Sequence, residues 1–520
     1  MNGLSAAWPE VPRRSAYALV AVVAMVAAFA FQGTRGLYAS SETRYAECAR
    51  EMLASGNWLE PTLAGEPHWT KPPLTYWAIA GGMVLLGRNE WAVRLYGAVA
   101  FALTVVGVTL LGRAMWNDRA GLVAGLVYAT SPFAAGAANV ATTDIVLALW
   151  EVLAVLAYWR AWRATEPSHG RVWAALMWAA LALGFLTKGP PALLPLLAIV
   201  PFHLWRRRRA AGQPRLLSLP GLVLFGVVGL GWYAYAVWRH PGLAEYLLED
   251  EFVERLATNR FGRNAEWYKP FLLYLPPLAV GLGAWMVFWP RALRRTWRGV
   301  RAAGLRAWLA ARPAAVFLML WLLVPLAVLF VVPSRLPLYV LPLMVVPALA
   351  TARVLARQYA VPALGRYVWA VAAVSAALIV GGKAVIAYLP NRHDSRPLAK
   401  AMLAQETPGA RFAVFRRTEE YGLDFYLDGR VARIAESVSE GAPFDYDADA
   451  WVRRVHADGG RHEWVVAFKG NAGPLTDALD EAGVAYRTCE AWQRYGLLVT
   501  EPEAAASSSE GRRARKDDVL

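Results

Sequence analysis

Few side chains in this sequence can do acid, base or anion chemistry, and they gather in short stretches beside long apolar runs. SETRYAECAREM (41–52) supplies Glu42, Arg44, Tyr45 and Glu47 within two turns of a helix pattern. PHWTKPPLTYW (67–77) supplies His68 and Lys71, and NVATTDIVLALW (139–150) supplies Asp144. FLTKGPP (185–191) holds Lys188 in a tight turn. EDEFVERLATNRFGRN (249–264) carries Asp250, Glu251 and Arg255, and VPSRLPLYVLP (332–342) carries Arg335 and Tyr339. Carboxylates (Glu42, Asp144) beside cations (Lys71, Lys188, Arg255, Arg335) and phenols (Tyr45, Tyr339) suit chemistry on a lipid-linked phosphate. The cations would hold a phosphate and stabilise it as a leaving group. A carboxylate would position an attacking hydroxyl or take its proton. Each stretch has a structural alternative. Ser41 can cap an amphipathic helix lying on a membrane surface with solvated charges. Lys71 can snorkel, and Asp144 can anchor a helix N-terminus.

The elements that must position these residues are membrane spans. The chain is 57% hydrophobic and 18% charged over 520 residues, too apolar for a soluble protein of this length. Runs of about 20 apolar residues recur, the length that crosses a bilayer core, and lipid forces them into helices. The candidate spans are 16–32, 93–112, 120–137, 145–162, 172–187, 190–205, 217–238, 271–289, 314–332, 337–356 and 366–388. The first follows Arg13 and Arg14, and Phe31-Gln32-Gly33 offers no small-x-small cleavage site, so it reads as an uncleaved helix. Pro72–Leu86 is apolar but short, and reads as a helix along the membrane surface. With it so placed, six basic segments, from Arg13/Arg14 to Arg353–Arg366, all fall inside. The N-terminus is then cytoplasmic, and the chemistry-bearing stretches share the outer face in loops 33–92 and 239–270 and in short turns. The +15 charge therefore belongs to inner-face loops and not to nucleic-acid binding. The 24 tryptophans fit many membrane interfaces. The absence of an evident internal repeat argues against a secondary transporter.

Residues 1–389 form the membrane domain in this reading. Residues 390–501 read as a small outer domain of mixed strands and helices, with strands at RFAVF, EWVVAF and YGLLVT and a helix at Pro474–Gly483. Residues 502–520 read as a disordered tail. The two cysteines, Cys48 and Cys489, make neither a disulfide framework nor a cysteine metal site.

The outer loops carry a resemblance. SETRYAECAREMLASGNWLEPTLAGEPHWTKPPLTYW resembles the first outer loop of the ArnT-like and dolichyl-phosphate-mannose protein mannosyltransferases, which reads D-E-x-R-Y-A-E and then E-K-P-P. TTDIVLA is similar to their second acidic motif, FLTKG to a recurring turn, and SRLPLYVLP to S-K-L-P-x-Y-x-L-P. The resemblance implies the GT-C fold: an all-α polytopic bundle, here of about 11 to 13 transmembrane helices, with a small C-terminal periplasmic α/β domain. It implies an integral inner-membrane glycosyltransferase that moves a sugar, such as aminoarabinose or mannose, from a polyprenyl (undecaprenyl) phosphate donor with inversion. The acceptor would be a lipid A, another glycolipid, a glycan or a protein at the periplasmic face. By motif, Lys71, Arg255 and Tyr339 would contact the carrier phosphate, Asp144 would be an active-site acid, and Arg44, Tyr45 and Lys188 would be neighbours.

The sequence departs from that pattern at three positions. The family's first aspartate is Ser41, so a base role falls to Glu42 or Asp144, or is dispensable. The glutamate before Lys-Pro is Thr70, and a family histidine in the fourth outer loop is Asp250. These last two positions are associated with a metal in the family. Asp250, Glu251 and His68 are what remain to form a weak oxygen and nitrogen site for a divalent metal, so no cofactor is assigned. Two other readings stand beside the transferase: a transporter or flippase for a lipid-linked glycan, with ionisable groups near mid-span, and an inactive homologue that binds lipid carriers.

Overall fold

The computed structural model describes residues 13–39, 41–207, 216–249, 264–358, 362–416, 420–436, 445–457, 462–492 and 495–500. The chain forms two compact units. One comprises Met1–Gly33, Ser55–Pro61 and Pro67–Tyr388; the other comprises Thr34–Ala54, Thr62–Glu66 and Leu389–Leu520.

The first unit is a bundle of apolar helices. Among the described residues seven helices are long and apolar enough to cross a bilayer, or eight if one bent pair counts as a single span. The helix Thr143–Arg163 runs through its core, buried on nearly every side, and packs against Glu90–Met115 and Pro167–Lys188. Glu90–Met115 approaches Asp118–Ala129 so closely that a Cβ on Gly112 would lie 3.0 Å from the Gly121 Cα. Small residues permit such contacts where lipid supplies no hydrophobic drive between helices.

Four of the eleven spans read from hydropathy are not single long helices. The first apolar helix covers only Ser15–Phe29. The run 120–137 breaks between Ala129 and Pro132, and 190–205 opens with a 3-10 turn, Pro190–Leu193, before Leu196–Arg207. The run 271–289 is helical over Lys269–Val280 and then turns through 80° into Gly283–Ala303. Proline explains most of this. Pro276 and Pro277 remove two backbone donors just before the bend, and Gly283 takes a φ of 62° within it. Hydropathy averaged over a window is blind to such breaks. The apolar helix Leu74–Leu86 has 13 residues, about 20 Å and too short to cross alone.

The second unit is built on a six-stranded sheet. Its strands are Arg411–Phe415, Val431–Ala435, Tyr446–Asp447, Trp464–Lys469, Tyr486–Trp492 and Tyr495–Thr500. The first four pair in parallel, and the last two join antiparallel at one side. Alternation along the strands divides the core in two. Phe412, Val414, Val465 and Leu497 pack with Leu398, Met402 and Leu423 on one face. Ala413, Phe415, Val466 and Leu498 pack with Trp451, Val455 and Leu475 on the other. Helices thus cover both faces, as a mainly parallel sheet requires.

The helix Ser41–Ser55, up to Ala54, and the strand-like segment before it belong to this second unit. Tyr38 forms an antiparallel bridge with Asp394. The Leu37 N–H donates to the Tyr426 hydroxyl at 2.9 Å, and the Gly36 N–H to the Asp394 carboxylate at 3.0 Å.

Candidate active site

Two helix ends meet in the first unit. Asp144 lies in the first turn of Thr143–Arg163, and Lys188 is the last residue of Pro167–Lys188. An acid at a helix N-terminus and a base at a C-terminus each complement the peptide dipole. Their side chains form an ion pair and are 9% and 10% exposed, so the pair is nearly desolvated. The helix end is fixed beside it. The Trp150 indole N–H donates to the Thr187 hydroxyl at 3.1 Å, and that hydroxyl donates to the Leu183 carbonyl at 2.7 Å. Gly189 then reverses the chain with a φ of 77°, a conformation that favours glycine. The Lys188 ammonium also lies 4.4 Å from the centre of the Tyr339 ring, a cation–π contact.

Tyr339 sits in the short turn Pro337–Val340. Arg335 anchors this segment. Its guanidinium donates to the carbonyls of Asn264, Ala265, Glu266 and Phe330 at 2.8–3.1 Å. The Asn264 amide returns a bond to the Arg335 carbonyl at 3.0 Å. Arg335 thus serves as a buried clamp on backbone carbonyls.

These groups line a cavity of about 730 Å³ that also includes Trp69, Thr70, Lys71 and Glu151. The Lys71 ammonium donates to the Thr70 carbonyl at 2.6 Å. Trp69 packs on Trp232 and His240, with ring centres 5.9 and 4.8 Å apart. The cavity therefore brings together four of the residues singled out in the sequence: Lys71, Asp144, Lys188 and Tyr339. It adds one that the sequence reading missed. Glu151 is 2% exposed, and its Oε1 has no hydrogen-bond partner. It follows Asp144 by seven residues, two turns along the same helix face and about 10 Å deeper. An acid at that spacing inside an apolar helix was the available signal.

Glu42, Arg44 and Tyr45 lie in the second unit. Arg35 grips Glu42 through both terminal nitrogens at 2.6 and 3.2 Å, and the Tyr38 N–H donates to it at 3.0 Å. Glu42 is 1% exposed. The Arg44 guanidinium lies 5.8 Å from the Tyr45 ring centre, and its Nε is buried with no hydrogen-bond partner. Glu47, one turn on, bonds Arg50 at 2.7 and 2.9 Å. Burial nonetheless pushes its carboxyl up to about 7. Burial likewise lifts Asp424 to about 6 against the pull of Arg433.

Arg255, Asp250 and Glu251 lie outside the described residues. His68 accepts from or donates to the Thr70 hydroxyl at 2.7 Å. Among the described residues no three His, Cys, Asp or Glu side chains cluster as metal ligands.

The architecture matches that of a solved enzyme structure. ArnT from Cupriavidus metallidurans bound to undecaprenyl phosphate superposes with a TM-score of 0.72 at 19% identity, over 93% of this chain and 97% of that one. The fold is therefore of the GT-C class. Residues 70–232 match the family model described as dolichyl-phosphate-mannose-protein mannosyltransferase. Two undecaprenyl phosphate-alpha-4-amino-4-deoxy-L-arabinose arabinosyl transferases are similar in sequence. That of Pseudomonas aeruginosa (strain LESB58) is 35% identical over 311 residues, 59% of this chain and 53% of its own length. The first such transferase of Pseudomonas fluorescens (strain Pf0-1) is 33% identical over 318 residues, 61% of this chain and 53% of its own. The chain spans about half the length of the curated relatives it matches. The chain thus shares the fold of the solved ArnT structure, is similar in sequence to these transferases over that stretch, and has the apolar helices of an integral membrane protein.

Proposed function

We propose that this chain is an inverting glycosyltransferase that uses a polyprenyl-phosphate sugar and transfers the sugar to a lipid acceptor. The convergence of Lys71, Asp144, Lys188 and Tyr339 on one cavity carries this reading. The names of the relatives favour undecaprenyl phosphate as carrier and an amino-deoxy pentose as sugar. A glycan or protein acceptor is the less supported alternative.

In this mechanism an acceptor oxygen attacks the anomeric carbon on the face opposite the phosphate. The bond from that carbon to the phosphate oxygen breaks, and its electron pair leaves with the polyprenyl phosphate. Lys71 and the Tyr339 hydroxyl stabilise the departing anion, with Arg255 as the third donor. Asp144 orients the acceptor, and takes its proton where the acceptor is a hydroxyl. An acceptor that is already an anion needs no base, which fits serine at position 41. Lys188 holds the Asp144 carboxylate in place. Glu42, with Arg35 on its carboxylate, supports the fold of its helix and is the second choice as base. Arg44 and Tyr45 present a cation and a phenol to an anionic group.

The chain is proposed to lie in the bacterial inner membrane with about 11 to 13 transmembrane helices, its N-terminus cytoplasmic and its sheet-bearing unit periplasmic. The positive-inside pattern of the basic loops supports this orientation.

The test is release of polyprenyl phosphate from a radiolabelled polyprenyl-phosphate sugar by purified protein, with and without a membrane lipid extract. Acceptor-dependent release, abolished by Asp144→Asn and Lys71→Ala, is expected. Normal activity in both variants would overturn the assignment of these residues. One observation favours a flippase as second reading, namely the buried acid Glu151 within a span. Carrier movement across vesicles with no sugar transfer would select it.

A further inference from the structure

A second cavity, of about 700 Å³, lies at the opposite end of the same unit. Arg163, on its wall, is the last residue of the helix whose second residue is Asp144. The two are separated along the helix by about 29 Å, close to a bilayer core. None of its lining residues is among those placed in the proposed transfer.

Its lining has an unusual charge. Arg163, Arg295, Arg312 and Arg353 contribute to it, and among the described residues no aspartate or glutamate does. Two of the guanidinium groups lie over indole rings, Arg312 at 4.8 Å from Trp308 and Arg353 at 5.4 Å from Trp116. Such stacking holds a guanidinium in place, and Arg312 also donates to the Trp308 carbonyl at 3.3 Å. Arg163 is steadied by donating to the Ala114 carbonyl at 2.9 Å. The helix Pro313–Val331 starts at the cavity wall with no side chain capping it, which adds the positive end of a peptide dipole. Leu318, Met319 and Leu322 from the same helix make the deeper wall apolar. Arg295 comes from Trp289–Ala303, which buries none of its residues and carries five arginines. That is the composition of a helix lying on a membrane surface.

We propose that this cavity binds an anionic glycerophospholipid, its phosphate among the four arginines and its acyl chains along Leu318, Met319 and Leu322. The cations select a net negative head group, because among the described residues no carboxylate lines the cavity to meet the amine of a zwitterionic one. The apolar wall selects a lipid over free phosphate. Basic pockets between membrane helices are suited to such head groups.

The experiment uses the full-length protein in detergent, titrated with dioleoyl phosphatidylglycerol, dioleoyl phosphatidylcholine or inorganic phosphate. Retained adducts are read by native mass spectrometry and stabilisation by the shift in Tm. The variants are Arg295→Gln alone, Arg295→Gln with Arg353→Gln, and Arg291→Gln with Arg298→Gln as a control on the same helix but off the cavity wall. Arg295 is exposed, so its single variant folds even if the double variant does not. Wild type is expected to hold phosphatidylglycerol roughly tenfold more tightly than phosphatidylcholine, with one adduct surviving. Arg295→Gln should lose a substantial part of that preference, the double variant nearly all of it, and the control less than about threefold. Equal losses in cavity and control variants would overturn the proposal, as would no head-group preference in wild type. Competition by inorganic phosphate at the affinity of the lipid would also overturn it.

Discussion

Lys188 lies between an acid and a ring: its ammonium pairs with Asp144 and sits 4.4 Å from the centre of the Tyr339 ring. The phenol thus has two separable parts, a π face that meets Lys188 and a hydroxyl proposed to meet the carrier phosphate. Tyr339→Phe keeps the first and removes the second. It should lower kcat/KM for the polyprenyl-phosphate sugar about tenfold, the worth of one charge-assisted hydrogen bond, mainly through kcat because the hydroxyl is proposed to stabilise the leaving phosphate. Tyr339→Ala, which also removes the ring from Lys188, should lower it further. Steady-state kinetics with a labelled donor separates the two.

Asp144→Asn removes the charge partner of a buried lysine. Transfer should fall by about a hundredfold or more if the carboxylate orients the acceptor. The Tm should fall too, since an uncompensated buried cation costs several kcal/mol. Asp144→Asn with Lys188→Met should recover the Tm and not the activity, which divides the structural role of the pair from the chemical one.

Glu151→Gln keeps the shape of the side chain and removes its capacity for charge. If Glu151 senses a cationic group on the sugar, the variant should lose activity with an amino-sugar donor at least about tenfold more than with its hydroxyl analogue. Equal loss with both donors would make the residue a structural element of the cavity wall.

Glu47 gives the second unit a pH dependence. Its folded carboxyl titrates near 7, against an ordinary value of 4.5. The folded form therefore binds its proton more tightly than the unfolded chain does. The associated stability is fully present below pH 4.5 and is lost as pH rises through about 7. Asp424, near 6 against an ordinary 3.8, acts in the same direction at lower pH. Thermal unfolding followed from pH 5 to 8 should show Tm falling. Glu47→Gln should flatten the slope, by on the order of 2–3 kcal/mol over the range.

Arg35→Ala should leave Glu42 buried without its bidentate partner. A loss of about 3 kcal/mol in the stability of the second unit is expected, and Glu42→Gln with Arg35→Met should restore part of it. Denaturant unfolding with a probe in the sheet measures both.

Much of this was legible in the sequence where the signal was local. Asp144 and Lys188 stand at the ends of apolar runs, so a charge beside a span drew notice to each. The strands Arg411–Phe415, Trp464–Lys469 and Tyr495–Thr500 are apolar, β-branched or aromatic segments of strand length. What escaped depends on contacts between distant residues or on backbone breaks. Glu151 was passed over because its neighbours make an ordinary apolar helix, and only the packed bundle reveals a cavity on that face. Arg335 looks like a phosphate-binding cation by type, yet its two terminal nitrogens donate to four backbone carbonyls. The prolines at 276 and 277 were visible, but the 80° bend that follows needs the three-dimensional path. The grouping of Ser41–Ser55 with residues beyond Leu389 has no sequence signature, since its pairings join Leu37 to Tyr426 and Tyr38 to Asp394.

That grouping bears on how the protein is made. A segment that emerges from the ribosome early completes its packing only when the last part of the chain arrives. At about 5–20 residues per second, the helix around Cys48 and Met52 waits on the order of 20–70 seconds for its partners. Throughout that interval its apolar side must be shielded by something other than its final partners. A chaperone, or the lipid surface itself, becomes part of the biosynthetic route, and a chain cut short after Tyr388 would never leave that waiting state.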